Sequence, residues 1–330
     1  MSALKNILVV GGAGYIGSHV VRELSDNGYR AIVYDNLSEG HKEAVVGNEF
    51  VLGDINDSDT LNKVFENNKI DVVMHFSAFA YVGESVENPE KYYKNNVCAT
   101  VNLLSSMLKY NVKNFIFSST CATYGTPVYT PIDEKHPQNP INPYGNSKVM
   151  VEKILSDYSN AYGLKYIALR YFNAAGAHPD GSIGESHRIE THLIPLVLKT
   201  LTKEKDAIHI FGDDYDTPDG TCIRDYIHVC DLAVAHRKAL EIILSGGESK
   251  CINLGTGIGH SVKEIIAVCE KVTGMKVPTI ISNRRQGDPS RLVASNDYAK
   301  ETLGFNPRFD IYETVKTAWE WEKRSKTWAS

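Results

Sequence analysis

Six short apolar runs punctuate the first half of the chain: Ile7–Val10, Ala31–Tyr34, Glu49–Leu52, Val72–Phe76, Asn114–Phe117 and Tyr166–Leu169. They are rich in Val, Ile, Tyr and Phe and bounded by polar residues or glycine. Unbroken apolar strands suit a sheet buried on both faces. Amphipathic stretches at 15–27, 58–67, 89–110 and 144–162 separate them and predict helices. Such alternation implies right-handed crossovers and an α/β, doubly wound parallel sheet of Rossmann type. A barrel would need about eight such units, and the pattern fades after residue 175.

Beyond that point Ala174–Glu190 and Asp213–Thr221 have loop composition. Helices are expected at 192–201, 230–244, 261–272 and 310–324. The run Cys251-Ile252-Asn253-Leu254-Gly255 reads as a buried strand that can return to the first sheet. The expected division is therefore 1–175 for the Rossmann domain, which also receives segments near 222–255. Residues 176–330 mainly form a smaller mixed α/β domain.

A length of 330 residues fits about two domains. Lys and Arg number 35 against 40 Asp and Glu, a net charge of −5, so no basic surplus points to nucleic acid. No window approaches the roughly 18 apolar residues of a membrane span. The opening apolar run, Ile7–Val10, is short for a signal peptide and feeds a glycine turn, so a cytoplasmic address is expected. Six cysteines (98, 121, 222, 230, 251 and 269) show no C-x-x-C pair and read as free, mostly buried thiols.

Chemistry begins where the first strand runs into Gly11-Gly12-Ala13-Gly14-Tyr15-Ile16-Gly17. Glycines there let the backbone turn, approach a pyrophosphate and pack helix on strand. The helix N-terminus adds free N–H donors and positive dipole. Asp35 ends the second strand 18 residues beyond Gly17, close to the roughly 20 expected for a ribose-binding acid. A carboxylate there accepts bonds from a ribose diol and repels a 2′-phosphate, which favours NAD over NADP. The G-x-x-G-x-x-G spacing resembles that of short-chain dehydrogenases/reductases, whose members also carry Tyr-x-x-x-Lys after the fifth strand.

That pair is present as Tyr144 and Lys148, opening a helix behind Pro143. The i, i+4 spacing sets phenol beside ammonium. A phenol with a pKa of about 10 is a poor base at neutral pH, and neighbouring positive charge lowers it. Upstream, Asn114–Phe117 ends in Ser118-Ser119-Thr120-Cys121-Ala122-Thr123, which places hydroxyls at the carboxyl end of a strand, where doubly wound folds bind ligands.

Longer motifs follow: V-G-E-S-V at 82–86, Y-Y-K-N-N-V at 92–97, N-P-Y-G-N-S-K at 142–148, and L-R-Y-F-N-A-A-G-A-H-P at 169–179. I-F-G-D-D-Y at 210–215, D-G-T-C-I-R-D-Y-I-H-V at 219–229 and R-R-Q-G-D-P at 284–289 complete the set. Through them the chain closely resembles the UDP-glucose 4-epimerases, a family of extended short-chain dehydrogenases/reductases, from Gly11 to about Trp321. The resemblance implies reversible oxidation at the sugar C4 through a 4-keto intermediate, with NAD held tightly and regenerated each turnover. It implies Tyr144 as the base, Lys148 as its tuner and holder of the nicotinamide ribose, and Thr120 as the O4 partner, where relatives often have serine. It assigns Gly11, Gly14, Tyr15, Ile16, Gly17, Asp35, Asn36, Asp54, Ile55, Phe76, Asn95 and Phe172 to NAD. Asn173, Leu193, Phe211, Arg224, Tyr226, Arg285 and Asp288 are assigned to the UDP-sugar. Many relatives carry lysine where this chain has Ala80, so that position is not carried over.

The resemblance also implies a homodimer paired through the helices near 89–110 and 144–162. It further suggests Leu292 as a specificity gate: a bulky tyrosine in some relatives, but here small enough to admit the N-acetyl group of UDP-GalNAc or UDP-GlcNAc. His187, His192, His209 and His228 show no metal-ligand spacing, and no metal is expected. The rivals are a 4,6-dehydratase, a uronic-acid 4-epimerase and a non-catalytic NAD-binding scaffold. Dehydratases typically place Asp-Glu after the threonine, whereas this chain has Cys121-Ala122. A scaffold would not need the Tyr–Lys pair.

Overall fold

The structure is a computed structural model that describes residues 4–45, 47–285 and 287–324. Gln286 of the R-R-Q-G-D-P motif lies outside the described residues, as does the chain beyond Arg324. The strands are β1 (Asn6–Val10), β2 (Arg30–Asp35), β3 (Glu49–Leu52), β4 (Val72–His75), β5 (Asn114–Thr120), β6 (Lys165–Tyr171) and β7 (Asn173–Ala175). They continue with β8 (Ile208–Phe211), β9 (Ile223–His228), β10 (Lys250–Leu254), β11 (Gly259–Ser261), β12 (Thr279–Ser282) and β13 (Arg291–Leu292).

Seven strands form the main sheet in the order β10-β6-β5-β4-β1-β2-β3. The expected α/β doubly wound fold is therefore observed, with parallel pairing of β1 to β2 and β4, β2 to β3, and β4 to β5. The order leaves β1 in one direction toward β2 and β3 and in the other toward β4 and β5. The crevice at this reversal is where such folds take ligands. Ile7, Leu8, Val9, Val72, Val73 and Phe115 are fully buried, as strands covered on both faces must be. The late apolar run does return, as β10 beside β6.

The chain divides into two compact units. The first comprises the described residues to Gly125, Pro137–Arg170 and Ala233–Ile252; the second comprises Thr126–His136, Tyr171–Leu232 and the described residues from Asn253 on. In the second unit β9 is central: β7 and β13 pair with it in parallel and β11 antiparallel. A separate pair joins β8 and β12. Helices Leu193–Leu201, Val262–Thr273 and Ile311–Arg324 supply its apolar core.

Two expectations need correction. The helix read across 89–110 is a short turn at Pro89–Tyr92, a π-helical segment Tyr93–Cys98 and an α-helix Ala99–Lys109. The wider turn breaks the 3.6-residue register and is common where a helix passes a functional site. Of the six cysteines, all free, only Cys222 and Cys269 are buried, and Cys98 is exposed.

Candidate active site

The glycine loop turns out of β1 and caps the helix Tyr15–Asp26 at Gly14. Gly11 has φ +77°, and a Cβ there would stand 2.4 Å from the Ser77 nitrogen. At Gly17 a Cβ would meet the Gly11 oxygen at 2.3 Å. These two glycines are required by close backbone packing. Gly14 differs: its Cβ would meet nothing nearer than 3.4 Å, so the fold itself has room for a side chain there. An unfilled face beside a helix N-terminus is the cradle a pyrophosphate needs. Tyr15 and Ile16, the first helical residues, are half-buried beside it.

Asp35, at the end of β2, is buried and accepts from the Ala13 N–H at 2.9 Å and the Leu37 N–H at 2.8 Å. Burial raises its pKa, against the pull of these two bonds. Asn36 donates to Asp54 at 2.8 Å, and Asp54 also accepts from the Asn56 backbone and side chain. Burial opposes ionisation of Asp54, but those bonds hold its carboxyl below the ordinary range. Ile55 is buried next to it. Phe76 follows β4, its amide bonded to the Val10 oxygen and its ring 4.9 Å from His236. Asn95 lies in the π-helical segment and donates to Asn96, which in turn clamps Phe79 through both its amide atoms.

The catalytic candidates meet at the carboxyl end of β5. Thr120 ends that strand, its hydroxyl accepts from the Ala122 N–H at 3.2 Å, and it stands near enough to the Tyr144 phenol to favour the ionised form. Asn142 caps the helix Pro143–Tyr162 by accepting from the Gly145 N–H at 2.8 Å, which fixes Tyr144 in the first turn. Lys148, one turn on, is buried and donates to the Ser118 carbonyl at 2.8 Å. Its nitrogen lies 4.8 Å from the Phe117 ring centre and 5.9 Å from that of Tyr144.

The lowered phenol pKa expected from the sequence is not produced by these side chains alone. Burial pushes Tyr144 up to about 12, and the Thr120 hydroxyl only moderates this. Burial also brings Lys148 down to about 7, against the attraction of Glu152. A weakly protonated amine held by a carbonyl is a poor stabiliser of phenolate.

Glu152 and Arg170 were not singled out in the sequence. They form a buried pair at 2.6 Å, extended by Ser119 and Gln138 on the carboxylate and by Tyr124 on the guanidinium. Glu152 follows Lys148 by four residues, a spacing that marks a shared helix face.

In the second unit Arg224 on β9 forms an ion pair with Asp288. Asp225, the next residue on β9, is buried and bonded instead to Thr256, Gly257 and Ala294. The Arg285 guanidinium sits 4.0 Å over the Phe211 ring centre. Arg285 and Asp288 line an open cleft of about 440 Å³ together with Tyr215 and Arg284. Tyr226 is buried on β9, and Asn173 starts β7 in register with it. Phe172 is buried and bonded to the Leu254 oxygen. Leu193 begins its helix, and half-buried Leu292 on β13 pairs in register with Arg224.

His187 and His192, read as lacking a metal-ligand arrangement, meet Glu185 and Glu190 in one cluster. Burial opposes their protonation, but the two carboxylates push His187 up to about 9 and His192 up to about 10. His209 and His228 lie elsewhere, bonded to Ser282 and Thr317.

Comparison with known proteins adds a consistent picture. Residues 7–255 match the model of the NAD dependent epimerase/dehydratase family. A UDP-glucose 4-epimerase of Halalkalibacterium halodurans is 52% identical, over 96% of this chain and 95% of its own. The crystal structure of a Brucella ovis UDP-glucose 4-epimerase in complex with NAD superimposes with a TM-score of 0.94 at 51% identity, covering 96% of this chain and 97% of that one. A Bifidobacterium longum UDP-glucose 4-epimerase in complex with NAD+ and UDP gives 0.92 at 39% identity, covering 98% and 99%.

Proposed function

The chain belongs to the NAD dependent epimerase/dehydratase family, and we infer that it interconverts UDP-galactose and UDP-glucose by reversible oxidation at C4. NAD is its cofactor. The observation that carries the reading is the meeting of Thr120, Tyr144 and Lys148 at the carboxyl end of β5. The glycine loop fits the cofactor on its own geometry, since only Gly14 leaves a face open beside the helix N-terminus.

We assign the dinucleotide to that loop, with Asp35 on the adenosine ribose and Asp54 toward the adenine. Bound NAD supplies a reversible acceptor for the C4 hydride. Thr120 bonds O4 and Tyr144 takes its proton as the carbonyl forms. Lys148 contributes positive charge when protonated. The 4-keto sugar turns about its link to UDP and presents its other face, and Tyr144 returns the proton to O4 as C4 takes back its hydride. In the second unit, Arg224 and Arg285 neutralise the diphosphate through planar forks of N–H donors. Asp288 then exchanges one partner for another, with Asn173, Leu193, Phe211 and Tyr226 completing the nucleotide-sugar contacts.

We also propose a homodimer through the helices near 89–110 and 144–162, where Met150 and Tyr162 are 44% and 52% exposed. A cytoplasmic address is proposed on the six free thiols. Among the described residues no helix is long and apolar enough to cross a membrane.

The direct experiment mixes purified protein with UDP-galactose and no added NAD, and follows UDP-glucose by proton NMR. Product is expected, from a cofactor carried through purification. Unchanged UDP-galactose, even after NAD is supplied, moves the assignment to another nucleotide sugar, uronic acids first.

A further inference from the structure

The loop that leads into the Leu193–Leu201 helix carries Glu185-x-His187-x-x-Glu190-x-His192, which the epimerase reaction does not use. One ligand atom from each of the four lies within 4.8 Å of the other three. Both imidazoles direct Nδ1 into the cluster. His192 Nδ1 stands 2.7 Å from Glu185 Oε1 and 3.1 Å from Glu190 Oε1. His187 Nδ1 stands 3.2 Å from Glu185 Oε1 and 3.4 Å from Glu190 Oε2.

The glutamate side chains are only 5% and 4% exposed. Despite its two close nitrogens, Glu185 Oε1 receives no aligned hydrogen bond. Glu190, by contrast, is fixed toward the cluster by bonds to both imidazoles and to the Thr191 and His192 backbone N–H groups at 2.7 Å, so the unpartnered atom is Glu185 Oε1, aimed at the two nitrogens. A tetrahedral zinc site with bonds of about 2.0–2.1 Å has ligand atoms about 3.3 Å apart, within the spread of the distances above.

We propose that Glu185, His187, Glu190 and His192 bind one divalent transition cation of the zinc class in a closed, structural site. Two imidazoles argue against magnesium and calcium, which take all-oxygen shells, and the absence of thiolate argues against a soft monovalent ion. Four protein ligands complete a tetrahedron, so no position is left for a catalytic water. The loop is already tied to the helix Ile311–Arg324: Trp321 Nε1 donates to the Glu185 backbone carbonyl oxygen at 2.8 Å, and a Cβ at Gly184 would meet the Trp321 ring at 2.3 Å. His192 immediately precedes the helix that Leu193 opens. A cation here joins the loop to that helix start and fixes both.

The test uses the full chain, treated with a chelator, dialysed and titrated with cobalt(II) chloride alone. One equivalent per chain is expected to bind, with the visible absorption of four-coordinate cobalt. One equivalent of zinc chloride should displace it and raise the Tm. His192→Ala and His187→Ala should each weaken cobalt binding more than about tenfold, whereas His209→Ala, at an exposed histidine outside the cluster, should leave it unchanged. Should the cluster variants fail to fold, the wild-type titration decides alone. No stoichiometric four-coordinate spectrum, or unchanged binding in folded His192→Ala, overturns the proposal.

Discussion

The Lys148 ammonium nitrogen donates to the Ser118 carbonyl oxygen at 2.8 Å and lies 5.9 Å from the Tyr144 ring centre. The lysine is thus held by the same strand end that presents Thr120, and it makes no direct bond to the phenol. Under the proposed function, Tyr144 and Thr120 are the groups assigned to the O4 proton. Tyr144→Phe removes that proton acceptor while keeping the ring. Turnover of UDP-galactose should fall by about 10²–10⁴-fold, with NAD still present in the purified protein. Unchanged turnover would remove Tyr144 from the mechanism.

The glycine loop separates folding from cofactor binding. Gly17→Ala forces a methyl to within 2.3 Å of the Gly11 oxygen, so both Tm and NAD content should drop. Gly14→Ala meets nothing nearer than 3.4 Å. Its cofactor-free Tm should stay close to wild type while NAD affinity falls. Equal losses of Tm in the two variants would show that Gly14 serves packing and not the pyrophosphate.

The contrast between these glycines also shows what a sequence reveals. Gly11, Gly17, Asp35 and the Tyr144–Lys148 pair are local patterns whose spacing carries their geometry, and the apolar runs of β1, β4 and β5 declare burial on both faces. The π-helical turn at Tyr93–Cys98 is not legible in the same way, because six residues are too few to separate a shift of register from the ordinary scatter of apolar positions. The sheet around β9 depends on pairing with segments as distant as 173–175 and 291–292, which local patterns cannot specify. The Glu185–His192 cluster sits in a loop, outside any helical or strand spacing. Only the fold brings its four ligand atoms together.

Burial of Lys148 has a pH consequence. Its folded pKa, about 7, lies below the 10.5 of an ordinary lysine. Between those values the unfolded chain binds a proton that the folded chain lacks, so this group makes stability rise with pH across that window. Lys148→Met abolishes the slope. In NAD-free protein the variant should be more stable than wild type near pH 7, by a few kcal/mol at most. The difference should shrink toward pH 10. Denaturant unfolding of both proteins across pH 7–10 measures this, and a pH-independent difference would contradict the assigned burial.

Leu292 pairs in register with Arg224, the proposed diphosphate ligand, so its side chain stands beside the sugar-nucleotide strand β9. Neighbouring strands lie about 4.8 Å apart, close enough for a larger side chain here to reach a group attached near the diphosphate. The resemblance places a bulky tyrosine of some relatives at this position, against the 2-substituent of the sugar, where a leucine is shorter. The wild type should therefore epimerise UDP-GlcNAc as well as UDP-glucose. Leu292→Tyr should lower kcat/KM for the acetylated sugar by about tenfold or more relative to UDP-glucose, the scale on which filling a pocket discriminates substrates. Steady-state kinetics with both sugars reads the ratio directly. A wild type that refuses UDP-GlcNAc, or a ratio unmoved by the substitution, would free Leu292 of any role in selecting the sugar.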